Sequence, residues 1–124
     1  MISRRPKKFG DDEARVVEAF KRWLETDGWS VTLPSGREFT DVIARRGEEL
    51  LVGEAKGRTM QPGLDADTMY GRLLRRMVHP AGARYAVIGP AEFVHHVLRV
   101  PPAIRVRLEI EVYQVDMNGV VSRR

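Results

Sequence analysis

The chain has no cysteine, so disulfides and thiolate metal sites are excluded. That absence suits a reducing compartment, and the expected location is cytoplasmic. No apolar run approaches the roughly 20 residues that span a bilayer. The segment 1–8 is basic, but no apolar stretch follows it, so it does not read as a secretory signal. Histidine is scarce, with only three residues, and there is no Gly-rich phosphate loop, nucleophile elbow or zinc signature.

The 124 residues suffice for one domain with a real core. A hydrophobic fraction of 43% and a charged fraction of 31% are ordinary for a globular protein. The net charge is +4. Its excess collects at Arg4, Arg5, Lys7 and Lys8, at Arg72, Arg75 and Arg76, and at Arg123 and Arg124. Each cluster reads either as phosphate contacts or as a solvated surface.

Residues 1–10 read as a basic, flexible arm, and 11–124 as a single domain. Asp11 or Asp12 is placed to cap a first helix that runs to Thr26, with Val16, Val17, Phe20, Trp23 and Leu24 as its apolar stripe. Strands are expected over 29–33, 39–45 and 49–56. The last two form a hairpin about Arg46-Gly47-Glu48. A second helix follows over 65–79, with Leu64, Met69, Leu73, Leu74 and Met77 facing inward. A buried strand covers 84–88, a short helix 91–99 and a last strand 108–115. The order α-β-β-β-α-β-α-β implies an α/β domain: a mixed sheet with helices on both faces.

The densest chemistry lies in Glu54-Ala55-Lys56, with Asp41 thirteen positions upstream. Charges inside apolar, strand-like sequence are costly unless they are paired or bind a metal. With a two-residue Gly47-Glu48 loop, Arg46 faces Glu49 and Asp41 faces Glu54, which puts both acids on one face. Lys56, two residues on, is expected on that face too. A three-residue loop would separate the acids. Two close carboxylates disfavour each other, and Mg²⁺ between them would relieve the repulsion. A lysine alongside suits water orientation or oxyanion stabilisation. The residues alone also permit a plain salt bridge between Lys56 and one acid.

On helix 1, Glu13 lies within roughly 40° of Val17, Phe20 and Leu24, so it is an acid on the core-facing stripe; Glu18 is about 140° away, toward solvent. Glu13 reads as a group reaching the site or as a first-turn acid favouring the helix dipole. His95 and His96 point in different directions and read as structural or surface residues. Trp23 and Trp29 read as core packing, and Tyr85 and Tyr113 as core or sheet edge.

Together Asp41, Glu54-Ala55-Lys56, Glu13 and the order of elements resemble the PD-(D/E)xK nuclease superfamily with its restriction-endonuclease-like αβββαβ core. The likeness spans nearly the whole chain and is nearest to small Mrr-like or Holliday-junction-resolvase-like nucleases. Beyond that core the chain carries an extra C-terminal helix and strand. The resemblance implies a metal-dependent endonuclease acting on DNA rather than RNA. Asp41, Glu54 and the Ala55 carbonyl would hold Mg²⁺, with Mn²⁺ substituting. Lys56 would position or activate the attacking water, and Glu13 would assist. Gln61 matches a glutamine that some members place after the motif. Arg58, Gln61, Arg72, Arg75, Arg76, Lys7 and Lys8 are the candidate nucleic-acid contacts, and a homodimer with no membrane association is expected by analogy. Thr40 replaces the motif proline, and the chain is close to the bare core, with no recognition domain for sequence-specific cleavage. Two further classes remain: a non-catalytic nucleic-acid-binding module of a larger complex, and a protein-assembly subunit with a structural ion pair.

Overall fold

A computed structural model describes residues 8–34, 40–78 and 82–124, apart from the side chains of 8–11, 40 and 41. Its elements are α1 (Lys8–Thr26), β1 (Ser30–Thr32), β2 (Thr40–Arg46), β3 (Glu49–Ala55), α2 (Pro62–Arg75), β4 (Arg84–Gly89), α3 (Ala91–Val97), α4 (Pro102–Arg107), β5 (Ile110–Val115) and β6 (Val121–Arg123). The strands form one six-stranded sheet in the order β1-β2-β3-β4-β5-β6. The pairs β3–β4 and β4–β5 are parallel, and the other three are antiparallel. This is a mixed α/β sheet flanked by helices, of the restriction-endonuclease-like kind, built on the expected αβββαβ core.

Strand alternation sorts the core into two layers. On one face α1 lays Val16, Val17, Phe20 and Leu24 against Val42, Ala44, Leu51, Ala55, Ala86, Ile88 and Tyr113. On the other, Ala66, Met69 and Leu73 of α2 and Phe93, Val94 and Val97 of α3 cover Val52, Tyr85, Val87, Ile110 and Val112. The parallel β3–β4 step requires a crossover, and α2 supplies it. The functional consequence is that α1 and α2 approach the end of β3 from opposite faces.

The structure corrects several expectations. Helix α1 begins at Lys8, inside the segment read as an arm, and Asp12 lies within it rather than capping it. Residues 1–7, including Lys7, fall outside the described residues. Helix α2 runs Pro62–Arg75, three residues earlier than expected, because a proline is tolerated in the first helical turn. Leu64 (59% exposed) and Leu74 (48%) do not face inward. At 100° per residue the buried stripe Ala66, Met69 and Leu73 leaves Leu74 about a quarter turn away and Leu64 nearly opposite. Beyond α3 the chain adds one short helix, α4, and two strands, β5 and β6, rather than one strand. Pro101-Pro102 opens the short α4, and a turn at Asn118-Gly119 returns β6 onto β5. Trp23 is 41% exposed although it stacks on Phe20, whereas Trp29, Tyr85 and Tyr113 are core residues. Among the described residues no helix is long and apolar enough to cross a membrane.

Candidate functional site

The site begins with the hairpin register. Gly47 adopts φ 61°, in the left-handed region that glycine enters without cost, so the turn closes in two residues. Arg46 then pairs with Glu49, and the ladder runs out to Asp41 opposite Glu54 and Thr40 opposite Ala55. Glu54 and Ala55 also pair with Val87 and Ile88 of β4. The ladder extends one residue further, where the Lys56 N–H donates to the Ile88 carbonyl at 2.9 Å. The backbone therefore places the two acidic positions side by side at the end of a central strand. The side chain of Asp41 lies outside the described residues.

Glu54 has no solvent exposure. Arg72 Nε donates to its Oε1 at 3.2 Å, and Arg76 Nη1 donates to its Oε2 at 2.6 Å. Arg72 lies in the last turn of α2 and Arg76, one turn on, caps its C-terminus, so both reach the same strand residue. A buried carboxylate without a partner costs several kcal/mol. Two guanidinium groups, each about a quarter exposed, compensate it here. Arg75, between them in sequence, is exposed.

Lys56 Nζ stands 3.8 Å from Glu13 Oε1, and both side chains are 19% exposed. That separation is an ion pair rather than a hydrogen bond. The described contacts of Glu54 and Lys56 thus run to different helices, α2 and α1. Gly57 brings α1 this close. A Cβ there would meet the Glu13 nitrogen at 2.2 Å and the Asp12 carbonyl carbon at 2.7 Å. Only glycine allows two backbones that approach. Directly after it, the Arg58 N–H donates to Asp12 Oδ2 at 2.6 Å.

Asp12, nearly buried, also accepts from Arg15 Nε at 3.1 Å, and Arg15 Nη1 donates to the Asp116 carbonyl at 2.5 Å. Sequence reasoning gave Asp12 a capping role and missed this one. Its signal was an acid beside the candidate Glu13, but its partner is a backbone group that no side-chain pattern reveals.

Arg58 and Gln61 are exposed. With Lys56, Thr59, Met60 and Asp65 they line a cleft of about 270 Å³ at the exit of β3. The Thr59 hydroxyl donates to Asp65 and accepts from the Gln61 N–H, which shapes that rim. Lys8 belongs to α1, its side chain outside the described part. His95 and His96 meet edge-on at 5.4 Å on α3, and His79 falls outside the described residues.

The donor chemistry at the end of β3 suits a hard divalent cation. Asp41, Glu54 and the Ala55 carbonyl are all oxygen donors. Among the described residues no cluster of three metal-ligating side chains forms. The arginines bear on any cation at Glu54. At an effective dielectric of about 20, two unit charges about 4 Å apart interact by about 4 kcal/mol. A divalent ion at Glu54 would meet such repulsion from both guanidinium groups, so cation and arginines would compete for one carboxylate.

No protein-family model and no curated protein matches the chain. Solved structures do share its fold. One is an XisH family protein from Nostoc punctiforme, with a TM-score of 0.54 and 18% identity over 87% of this chain and 96% of that one. Another is an fdxN element excision controlling factor protein from Anabaena variabilis, with a TM-score of 0.51 and 18% identity over 88% and 96%. At this identity the likeness is one of fold.

Proposed function

We propose that the chain is a Mg²⁺-dependent endonuclease of the PD-(D/E)xK type that hydrolyses phosphodiester bonds in DNA. The observation that carries the reading is the register of Asp41 opposite Glu54 at a strand end, with Lys56 and Glu13 paired beside it. The fold shared with a factor controlling excision of the fdxN element supports DNA as the polymer. Asp41, Glu54 and the Ala55 carbonyl would hold the ion. When bound, it supplies Lewis acidity and lowers the pKa of a coordinated water. The Lys56 ammonium orients that water or stabilises charge developing on the phosphate, and Glu13 keeps the ammonium in place. Arg58 and Gln61, exposed at the cleft, suit contacts to the backbone of the strand being cut. A homodimer would present one site to each strand of a duplex.

The test is nicking of supercoiled plasmid DNA. Activity is expected with Mg²⁺ or Mn²⁺ and not in EDTA, and Lys56→Ala is expected to lower it by at least about 100-fold with the fold intact. Equal cutting in EDTA or by the variant would refute the proposal. The full burial of Glu54 between two arginines favours a second reading, a DNA-binding module that does not cut. It predicts salt-dependent DNA binding with no cleavage under any metal.

A further inference from the structure

The carboxylate of Glu54 and the guanidinium groups of Arg72 and Arg76 form a hydrogen-bonded unit. Each carboxylate oxygen accepts from a different arginine. The acid itself has no solvent exposure, whereas each arginine side chain is 26% exposed. The arginines therefore form the solvent-facing side of the unit. A guanidinium group is also the side chain best matched to a phosphate, through two parallel N–H donors. The groups that neutralise Glu54 are thus those that an incoming polyanion binds best.

We propose that Arg72 and Arg76 are resident counter-ions that keep a divalent cation off Glu54, and that DNA phosphates draw them away. Phosphate binding and cation binding at this site are then positively coupled, and the bare protein is a poor metal binder. The inference rests on the reading of Glu54 as a metal ligand. Two features make the exchange local. Arg72 and Arg76 lie one turn apart at the C-terminal end of α2, so one run of phosphates can engage both. Lys56 and Arg58 follow Glu54 within four residues along the chain and line the cleft at the exit of β3, where a phosphate strand would lie.

The experiment counts free Mn²⁺ by electron paramagnetic resonance during titration of the wild-type chain, with and without a short DNA duplex. The duplex is expected to tighten Mn²⁺ binding about tenfold, within the usual range for coupled sites. Glu54→Gln, which removes the ligand charge, is expected to abolish that gain and so separates it from ion binding by DNA alone. Without DNA, Arg76→Gln is expected to bind Mn²⁺ about tenfold more tightly than wild type. Should Arg76→Gln fail to fold by circular dichroism, the wild-type comparison decides alone. Equal Mn²⁺ affinity with and without DNA, at a site lost in Glu54→Gln, would overturn the inference and leave the metal reading standing. No Glu54-dependent Mn²⁺ binding under either condition would overturn both.

Discussion

Removing Arg76 tests whether the end of β3 is held by the buried charge unit. Glu54 is fully buried, and the Arg76 contact at 2.6 Å is the shorter of its two arginine bonds. Breaking a buried pair from one side costs about 3–5 kcal/mol, because the remaining charge stays buried. Arg72 still bonds the other oxygen of Glu54, and Arg76 is itself a quarter exposed, so Arg76→Ala falls at the low end, at about 3 kcal/mol. For a domain of this size each kcal/mol lowers Tm by roughly 3–5 °C, so the midpoint falls by roughly 10–15 °C. Urea unfolding followed by Trp29 fluorescence reads the change directly, since Trp29 is 5% exposed and sits in the core. Replacing Glu54 by Gln in the same chain is expected to recover part of the loss, because a neutral amide costs less to bury than an unbalanced carboxylate. A loss below about 1 kcal/mol for Arg76→Ala, the worth of an exposed ion pair, would refute the reasoning.

Gly57→Ala is expected to cost about 1–3 kcal/mol, because its Cβ would meet the α1 backbone at Asp12 and Glu13. The same change should lower any cleavage activity by parting Glu13 from Lys56; a stability within 0.5 kcal/mol of wild type, roughly that of a surface substitution, would contradict the contact. Glu111 tests the ion network at the other end of the sheet. Burial raises its pKa, but hydrogen bonds from Arg84 and Tyr113 outweigh burial and hold the carboxyl below its ordinary value. Its contribution is therefore present above the ordinary value and lost as pH falls through the lowered one. Wild type and Glu111→Gln should differ in stability at neutral pH and converge in acid, and a gap independent of pH would count against the network. Burial pushes the Tyr70 and Tyr113 hydroxyls up to about 12. Stability should then decline as pH rises above about 10, and less steeply in Tyr70→Phe. Spectrophotometric titration of tyrosinate showing both groups ionising near pH 10 would sink that expectation.

Local pattern carried much of this protein. The alternation of Val42 and Ala44 and the apolar run Leu50-Leu51-Val52 specified strands. Given a two-residue Gly47-Glu48 loop, which the structure adopts, spacing places Asp41 opposite Glu54. The helical angle of Glu13 set it on the face of α1 that meets the sheet, and the structure brings it to Lys56. These features depend on short-range geometry, which a chain declares in its own periodicity. The short α4 and β6 were not legible, because three to six residues carry too little periodicity to stand out.

Tertiary structure alone decided who neutralises Glu54. Arg72 and Arg76 read as a surface cluster, since nothing in a helix sequence says which strand residue its basic turn will meet. Folding the crossover helix onto β3 converted them into partners of a buried acid. Likewise, only the close passage of Gly57 under α1 gave Asp12 a backbone N–H to accept from and set Lys56 beside Glu13. Register is a property of neighbours along the chain, so the sequence could place the acids. The pairing of buried charge depends on which distant element covers it, and that is determined only when the layers pack.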